Sequence, residues 1–449
     1  MRCARHRAHR ARALGAALVL CGLLSALCVA SAGADSLPTT CDKVASQQGS
    51  DSNSGSAAAP LQTASALAAS LSPGQVGCLH AGTYAGGLRI SHGGAPGAPI
   101  VLRSYPGERA LITGRVYVPQ GSDYVTVGAV SLDGNFQRSG ERLPSPTINA
   151  NHVTFESDDV TNDRTEICFD VGSSTWGMAD STVIAHNRIH DCGVLPATNH
   201  QHGIYVQDAT NTQIVGNVIV NNADRGIQLY PNSTGAVITG NVIAGNGEGV
   251  IFSGEGGATS NGNTVEHNLV VNSLIRRDIE SWYPSGTPHG VGNLARNNCV
   301  SSRGIDTSAG GFSAQGNVTA SSGELVATGE GGYAAAAGSA CAAVLGSTAS
   351  GPERTPSGGG PTPVGKEAGP GATPARRQGA GASSPAGGSQ QAAPAATPAT
   401  APGAVKNVAR PSTAAAKPHV AHRRHRHSSK RKHATHRSKA THRGSARRH

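Results

Sequence analysis

Four short segments put chemically active side chains at matching positions: HGIYV (202–206), RGIQL (225–229), EGVIF (248–252) and DIESW (278–282). The first two steps between them are both 23 residues. Aligned on their aliphatic residues, they place Ile204, Ile227, Val250 and Ile279 in one row, with Tyr205, Gln228, Ile251 and Glu280 beside it. Asp170, from CFDV (168–171), extends the second row. His202, Arg225, Glu248 and Arg277 form a third, provided that Gly203, Gly226 and Gly249 mark a bend. Imidazole, phenol, guanidinium and carboxylate on one surface are the parts that proton transfer at carbon requires. A base removes the proton, an acid serves the other face or the leaving oxygen, and a cation absorbs the charge that builds up. In that chemistry His202 or His200 is the base, Tyr205 the acid, and Arg225 or Arg277 the cation. Gln228, Glu248 and Glu280 remain to hold substrate. The same residues could instead form a solvated face of weak ion pairs.

A second cluster is ESDDVTNDRTEICFD (156–170). Its oxygen-rich side chains, Asp158, Asp159, Asp163 and Asp170, suit Ca²⁺, although the spacing is not that of an EF-hand. No organic cofactor is implied.

These residues need elements to hold them, and the middle of the chain is a repeat. An Asn precedes an aliphatic alternation in HNRIHDC (Asn187), GNVIVNN (Asn217), GNVIAGN (Asn241), HNLVVNS (Asn268), RNNCVSS (Asn297) and GNVTA (Asn317). Short runs of Val, Ile and Thr at period two are strands. Asn and Gly corners tolerate positive φ. Residues 110–320 offer no long helical period. Units of 20–30 residues with two or three short strands predict an all-β fold, a parallel β-helix whose rungs stack about 4.8 Å apart. The recurring Asn would bond the backbone and the amide of the next rung. Residues 60–71 have apolar residues near helical spacing and predict a short N-terminal capping helix.

Charge divides the chain. Residues 35–366 carry 16 Lys+Arg against 26 Asp+Glu, so the body is acidic. Residues 417–449 hold 12 Lys+Arg, 8 His and no acid. Five Arg within residues 2–12 precede an apolar run and the small residues Ala32, Gly33 and Ala34. This order reads as an export signal over 1–34, leaving no transmembrane helix after cleavage and a secreted or envelope-associated protein. The β-helix domain then spans 35–346, a Pro/Ala/Gly-rich disordered linker 347–416 and the basic tail 417–449. Such a tail binds anionic envelope polymers. Nucleic acid is disfavoured, because no aromatic residues are interleaved for stacking. Export leaves six cysteines, whose spacing predicts the pairs Cys41–Cys78, Cys168–Cys192 and Cys299–Cys341.

LSPGQVGCLHAGTYAGGLRI and GAPIVLRSYPGERALITG, within 51–114, together with the later HGIYV and GNVI units, resemble the secreted right-handed parallel β-helix proteins of the pectin-lyase-like superfamily. The resemblance covers about residues 40–345. It implies a carbohydrate-active protein, and the superfamily spans polysaccharide lyases, uronate epimerases, glycoside hydrolases and noncatalytic members. Lys43 is the only lysine in 35–365, so a lysine-dependent lyase mechanism lacks its base. The expected function is action on a uronate-containing polysaccharide through removal of the C5 proton, as a lyase or C5-epimerase. The alternatives are a noncatalytic glycan-binding or envelope-associated protein and, third, a hydrolase using Glu248 and Glu280.

Overall fold

Each coil lays down three short strands and turns at three corners, so segments far apart in sequence become vertical neighbours. The computed structural model describes residues 37–135, 137, 142–329 and 332–346. The expected export signal, linker and basic tail lie outside the described residues. The first sheet has 11 strands, running from Lys43–Ala45 and Val76–Leu79 to Ser313–Gln315. The second has 10, from Gly82–Tyr84 to Val318–Thr319. The third runs from Leu88–Arg89 to Ile305–Asp306, with Ala179–Asp180 and Ala258–Thr259 attached at its side. Neighbouring rungs pair parallel throughout; in the third sheet only the Ala258–Thr259 arm is antiparallel. The parallel β-helix expected from the repeat is therefore the fold.

Period-two alternation explains the core. In the first sheet Val127, Phe155, Ile184, Ile214, Ile238, Val265 and Ala295 stand in strict register, one per rung, and all are fully buried. Burying each large aliphatic side chain of such a stack contributes about 1.5–3 kcal/mol.

The corner between the first and second sheets cannot send its backbone N–H groups to water, and Asn side chains satisfy them. The N–H of Asn187 donates to Asn217 Oδ1 (2.9 Å), Asn217 to Asn241 (2.8 Å), Asn241 to Asn268 (2.9 Å), Asn268 to Asn298 (3.0 Å) and Asn298 to Asn317 (2.9 Å). Each Nδ2 donates onward to the next Oδ1 as well, at 2.9–3.1 Å. The expected ladder is corrected at one rung, where Asn298 and not Asn297 is the member. Every ladder Asn follows a residue with positive φ, namely His186, Gly216, Gly240, His267, Asn297 and Gly316. Asn297 fills that turning role, and the aliphatic strand begins directly after Asn298. Shorter ladders hold the other corners through Asn222–Asn246 and Asn263–Asn293.

The helix expected near the start spans Ala64–Ser70 and buries Ala64, Leu67 and Ala68 over the first coil. Thr63 caps it, its Oγ1 accepting the Ala66 N–H at 3.0 Å. At the other end a hairpin (Leu325–Gly329 with Gly332–Ala335) and a helix (Ala340–Leu345) lie against the outer face of the second sheet. That cover explains why Val220, Val242, Ala244, Leu269 and Val271 are buried although they point away from the main core. All three expected disulfides are present, with Cα–Cα distances of 5.7, 5.6 and 5.1 Å. Cys299–Cys341 ties the C-terminal helix to the second sheet.

Replacing Asn241 with Ala deprives the Asn217 N–H and Nδ2 of their acceptor and three further groups of a donor. The expected loss is about 2–4 kcal/mol of unfolding free energy, because the stranded groups are buried. Urea denaturation of Asn241→Ala against the wild type measures it; a loss below about 0.5 kcal/mol would refute the ladder as a source of stability.

Candidate active site on the third sheet

The outer face of the third sheet is built by register. Arg89, Tyr117, Thr147, Asp170, Tyr205, Gln228, Ile251, Glu280 and Asp306 form one continuous row, one residue per rung. The expected neighbours Tyr205, Gln228, Ile251 and Glu280 are thus vertical neighbours, with Asp170 next to Tyr205. Ile204, Ile227, Val250 and Ile279 point inward and are fully buried. Arg225 stands opposite Glu248. The intervening glycine is required by space: a Cβ on Gly226 would lie 2.6 Å from Ile243 Cγ2 and 3.0 Å from the Gly249 carbonyl.

Two arginines and two glutamates form one end of the site. Arg225 donates from Nε to Glu248 Oε2 (3.0 Å), from Nη1 to the Asn199 carbonyl (3.0 Å) and Gln228 Oε1 (3.4 Å), and from Nη2 to Asn199 Oδ1 (2.5 Å). Its donors therefore fasten the loop 194–200 to the sheet. Asp224 secures the same loop by accepting the N–H groups of Asn199, His200 and Gln201 at 2.7–2.9 Å. Arg276 bonds Glu280 through Nε and lies 3.9 Å from Glu248 Oε2. Between the loops a small pocket opens, floored by Arg225 and Glu248 and walled by Asn199, Ile275 and Arg276. Glu248 is 2 % exposed and its Oε1 has no hydrogen-bond partner. Burial, with the Glu280 carboxyl beside it, pushes Glu248 up to about 8 against the offsetting charge of the arginines. It therefore holds its proton to higher pH than an ordinary glutamate.

His202, Tyr205 and Asp170 form the centre. The His202 ring lies edge-on to Tyr205 with centroids 5.5 Å apart. It is buried, and its Nδ1 has no hydrogen-bond partner. Burial, then the charges of Arg225 and His200, holds it well below the usual imidazole range, so it is neutral. Burial and the neighbouring carboxylates raise the Tyr205 hydroxyl, which keeps its proton. Burial pushes Asp170 up to about 7, although Gln207 Nε2 donates to it at 2.6 Å. A neutral base, a phenol and an acid poised near neutrality therefore meet on two adjacent coils.

Several expected site residues lie elsewhere. Arg277 faces away, 3.7 Å from Asp306 and donating to the Arg303 carbonyl; Arg276 is the arginine that reaches the pocket. Irregular backbone through Leu274–Arg277 makes this coil longer than its neighbours, so counting from the repeat misses by one residue. His200 is exposed; apart from its charge acting on His202, it joins the site through its backbone N–H. The four proposed calcium ligands are not gathered. Asp158 is buried at an Asn-ladder corner, where its Oδ1 accepts the Val130 N–H (2.9 Å) and burial raises its carboxyl far above the usual range. Asp159 is on the outer face of the second sheet, near Arg188 and His190. Asp163 is in a turn beside Asn135, and Asp170 is on the third sheet. Among the described residues no three His, Cys, Asp or Glu side chains converge on a metal position.

The raised Glu248 has a measurable consequence. Its folded value exceeds the unfolded one, so its contribution to stability is complete below about 4.5 and is lost as pH rises through about 8. Glu248→Gln keeps the neutral form at every pH. Thermal melts from pH 5 to 9 should show the variant gaining on the wild type as pH rises. A constant difference between the two would contradict the assignment.

Residues 126–277 match the family described as a right handed beta helix region. No curated protein matches the sequence. Solved structures of similar fold include the pectate lyase Pel9A, at 17% identity and TM-score 0.49 over 64% of this chain and 84% of that one. XylC in complex with xylose follows at 12% identity and TM-score 0.41, over 61% and 69%. A rhamnogalacturonan lyase has 13% identity and TM-score 0.32, over 59% and 74%. The three-sheet coil is that of a parallel β-helix, and the match over residues 126–277 to the right handed beta helix region agrees with it.

Proposed function

We propose that the outer face of the third sheet binds a uronate-containing polysaccharide and removes the proton at C5, as a lyase or a C5-epimerase. The observation that carries this reading is the neutral His202, with Nδ1 unpaired, held edge-on to the protonated Tyr205 and one rung from Asp170. His202 takes the C5 proton, and the electron pair passes into the substrate carboxylate. Arg276, whose side chain is 42% exposed, is the cation that stabilises this charge. Arg225 is a positioning residue, since its donors are engaged by Asn199, Gln228 and Glu248. In elimination the C4–O4 bond then breaks, Tyr205 protonates O4, and a C4–C5 double bond remains. In epimerisation no bond to oxygen breaks, and a proton returns to C5 from the opposite face.

Hydrolysis by Glu248 and Glu280 fits less well. Both carboxylates lie against Arg276 Nε, whereas a glycosidase pair faces across a gap of about 5–9.5 Å that a sugar or water must enter. A noncatalytic glycan-binding protein is the second reading, favoured by the burial of His202 at 2% exposure. The three disulfides support an oxidising, extracytoplasmic location.

The test is incubation with polygalacturonate, alginate and glycosaminoglycan, with and without Ca²⁺. A lyase raises ultraviolet absorbance; an epimerase changes the C5 proton signals by NMR. His202→Gln and Tyr205→Phe should each lower turnover by about 10²–10⁴-fold while circular dichroism stays unchanged. Wild-type rates in both variants would discard this site, and no product from any polymer would favour binding alone.

A further inference from the structure

The chain contains two tryptophans, and both are exposed on the same side of the third sheet. Trp282 is 45% exposed at the C-terminal end of the strand Ile279–Trp282. Ile279 and Ser281 are buried, so Glu280 and Trp282 share the outward face. Trp176 is 50% exposed at the tip of a hairpin that leaves the strand Phe169–Val171 at its own C-terminal end. That hairpin is pinned: Ser173 and Gly177 exchange backbone bonds at 2.9 Å, Ser174 N–H donates to Asp208 Oδ2 (2.8 Å), and Asn149 Nδ2 donates to the Gly177 carbonyl (2.8 Å). Parallel strands put both indoles along one edge of the row that carries Asp170, Tyr205 and Glu280.

The register sets the spacing of the coils that carry them. Val171, Val206, Leu229, Phe252 and Ser281 are successive partners, so the two tryptophan-bearing coils are four rungs apart, about 19 Å along the axis. Between them Tyr205 and Tyr230 stack with centroids 6.1 Å apart, the latter half-buried. The intervening surface is polar, with Gln207, Asp208 and Asn232. A protein interface would want a contiguous apolar centre. Separated aromatic platforms on a polar track suit an extended ligand that alternates hydroxyl edges with flat C–H faces. A pyranose ring has such a face, and its partly positive hydrogens meet the negative face of an indole.

We propose that Trp176 and Trp282 are stacking platforms for two sugar rings of one extended glycan chain, bracketing the His202–Tyr205 centre and fixing how the chain lies along the sheet. The proposal rests on the glycan reading of this face. It adds that affinity is set at the ends of the track, several rungs from the chemistry.

Size-fractionated oligomers of polygalacturonate and of alginate are titrated into the full-length protein, in about 0.5 M salt to screen the basic tail. Binding is followed by calorimetry and tryptophan emission. With two tryptophans in the chain, each single variant leaves one reporter. The wild type should bind oligomers long enough to span the track and change its emission. Trp176→Phe and Trp282→Phe should each weaken binding about fivefold to tenfold. Each should retain part of the emission change, and any turnover should show a raised KM with kcat unchanged. Both positions are half-exposed, so the variants should melt like the wild type. If the wild type binds but both variants bind equally well and emission never moves, the platforms are refuted and the glycan reading stands. If the wild type binds no oligomer, both fall.

Discussion

A narrow coil has corners whose backbone N–H groups are sealed from water, and in this protein the side chain of the next rung must satisfy them. From Asn187 to Asn317 that acceptor is an asparagine, which also donates onward to its successor. The requirement is strict in register, since a slip of one residue would strand every bond in the column. It is therefore the corner, more than the strand, that makes each coil lie squarely on the last. The aliphatic stack adds most of the burial energy but tolerates exchange among similar residues.

The chemistry inherits this registration. Arg89 to Asp306 make one row because their strands cannot slide, and the site proposed from Asp170, His202, Tyr205, Arg225, Glu248 and Arg276 draws on five coils. Rigid placement permits unusual protonation. Glu248 and Asp170 sit near neutrality because the scaffold keeps them buried beside other carboxyls, and His202 stays neutral beside Arg225. Such perturbed groups concentrated on one face are the ground for proposing the site there, beside the pinned loop 194–200.

Much of this was legible in the amino-acid order. The Asn-aliphatic unit gives the coil, and the 23-residue steps give the rows, because regular coils have nearly constant length. Legibility fails where a coil is irregular. At RNNCVSS two asparagines compete for one corner, and the strand start after Asn298 decides between them. At Leu274–Arg277 the longer corner exchanges Arg277 for Arg276. The acidic run from Asp158 to Asp170 looked like one cluster because it is contiguous, but a coil turns through corner, second sheet and third sheet within those residues. Adjacency along a solenoid chain scatters side chains around the axis, while matching positions on successive coils bring them together. The cover on the second sheet left a trace in Val218–Val220, Val242–Ala244 and Leu269–Val271, apolar on both faces where an open sheet would alternate.

The central claim is that residues of separate coils form one glycan site on the third sheet. A crystal structure with a bound uronate oligosaccharide tests it most directly. The account predicts a chain along that sheet's outer face, with a substrate carboxylate at Arg276 and its C5 beside His202 and Tyr205. An oligosaccharide bound on the first or second sheet, for instance at Arg188 and His190, would contradict it.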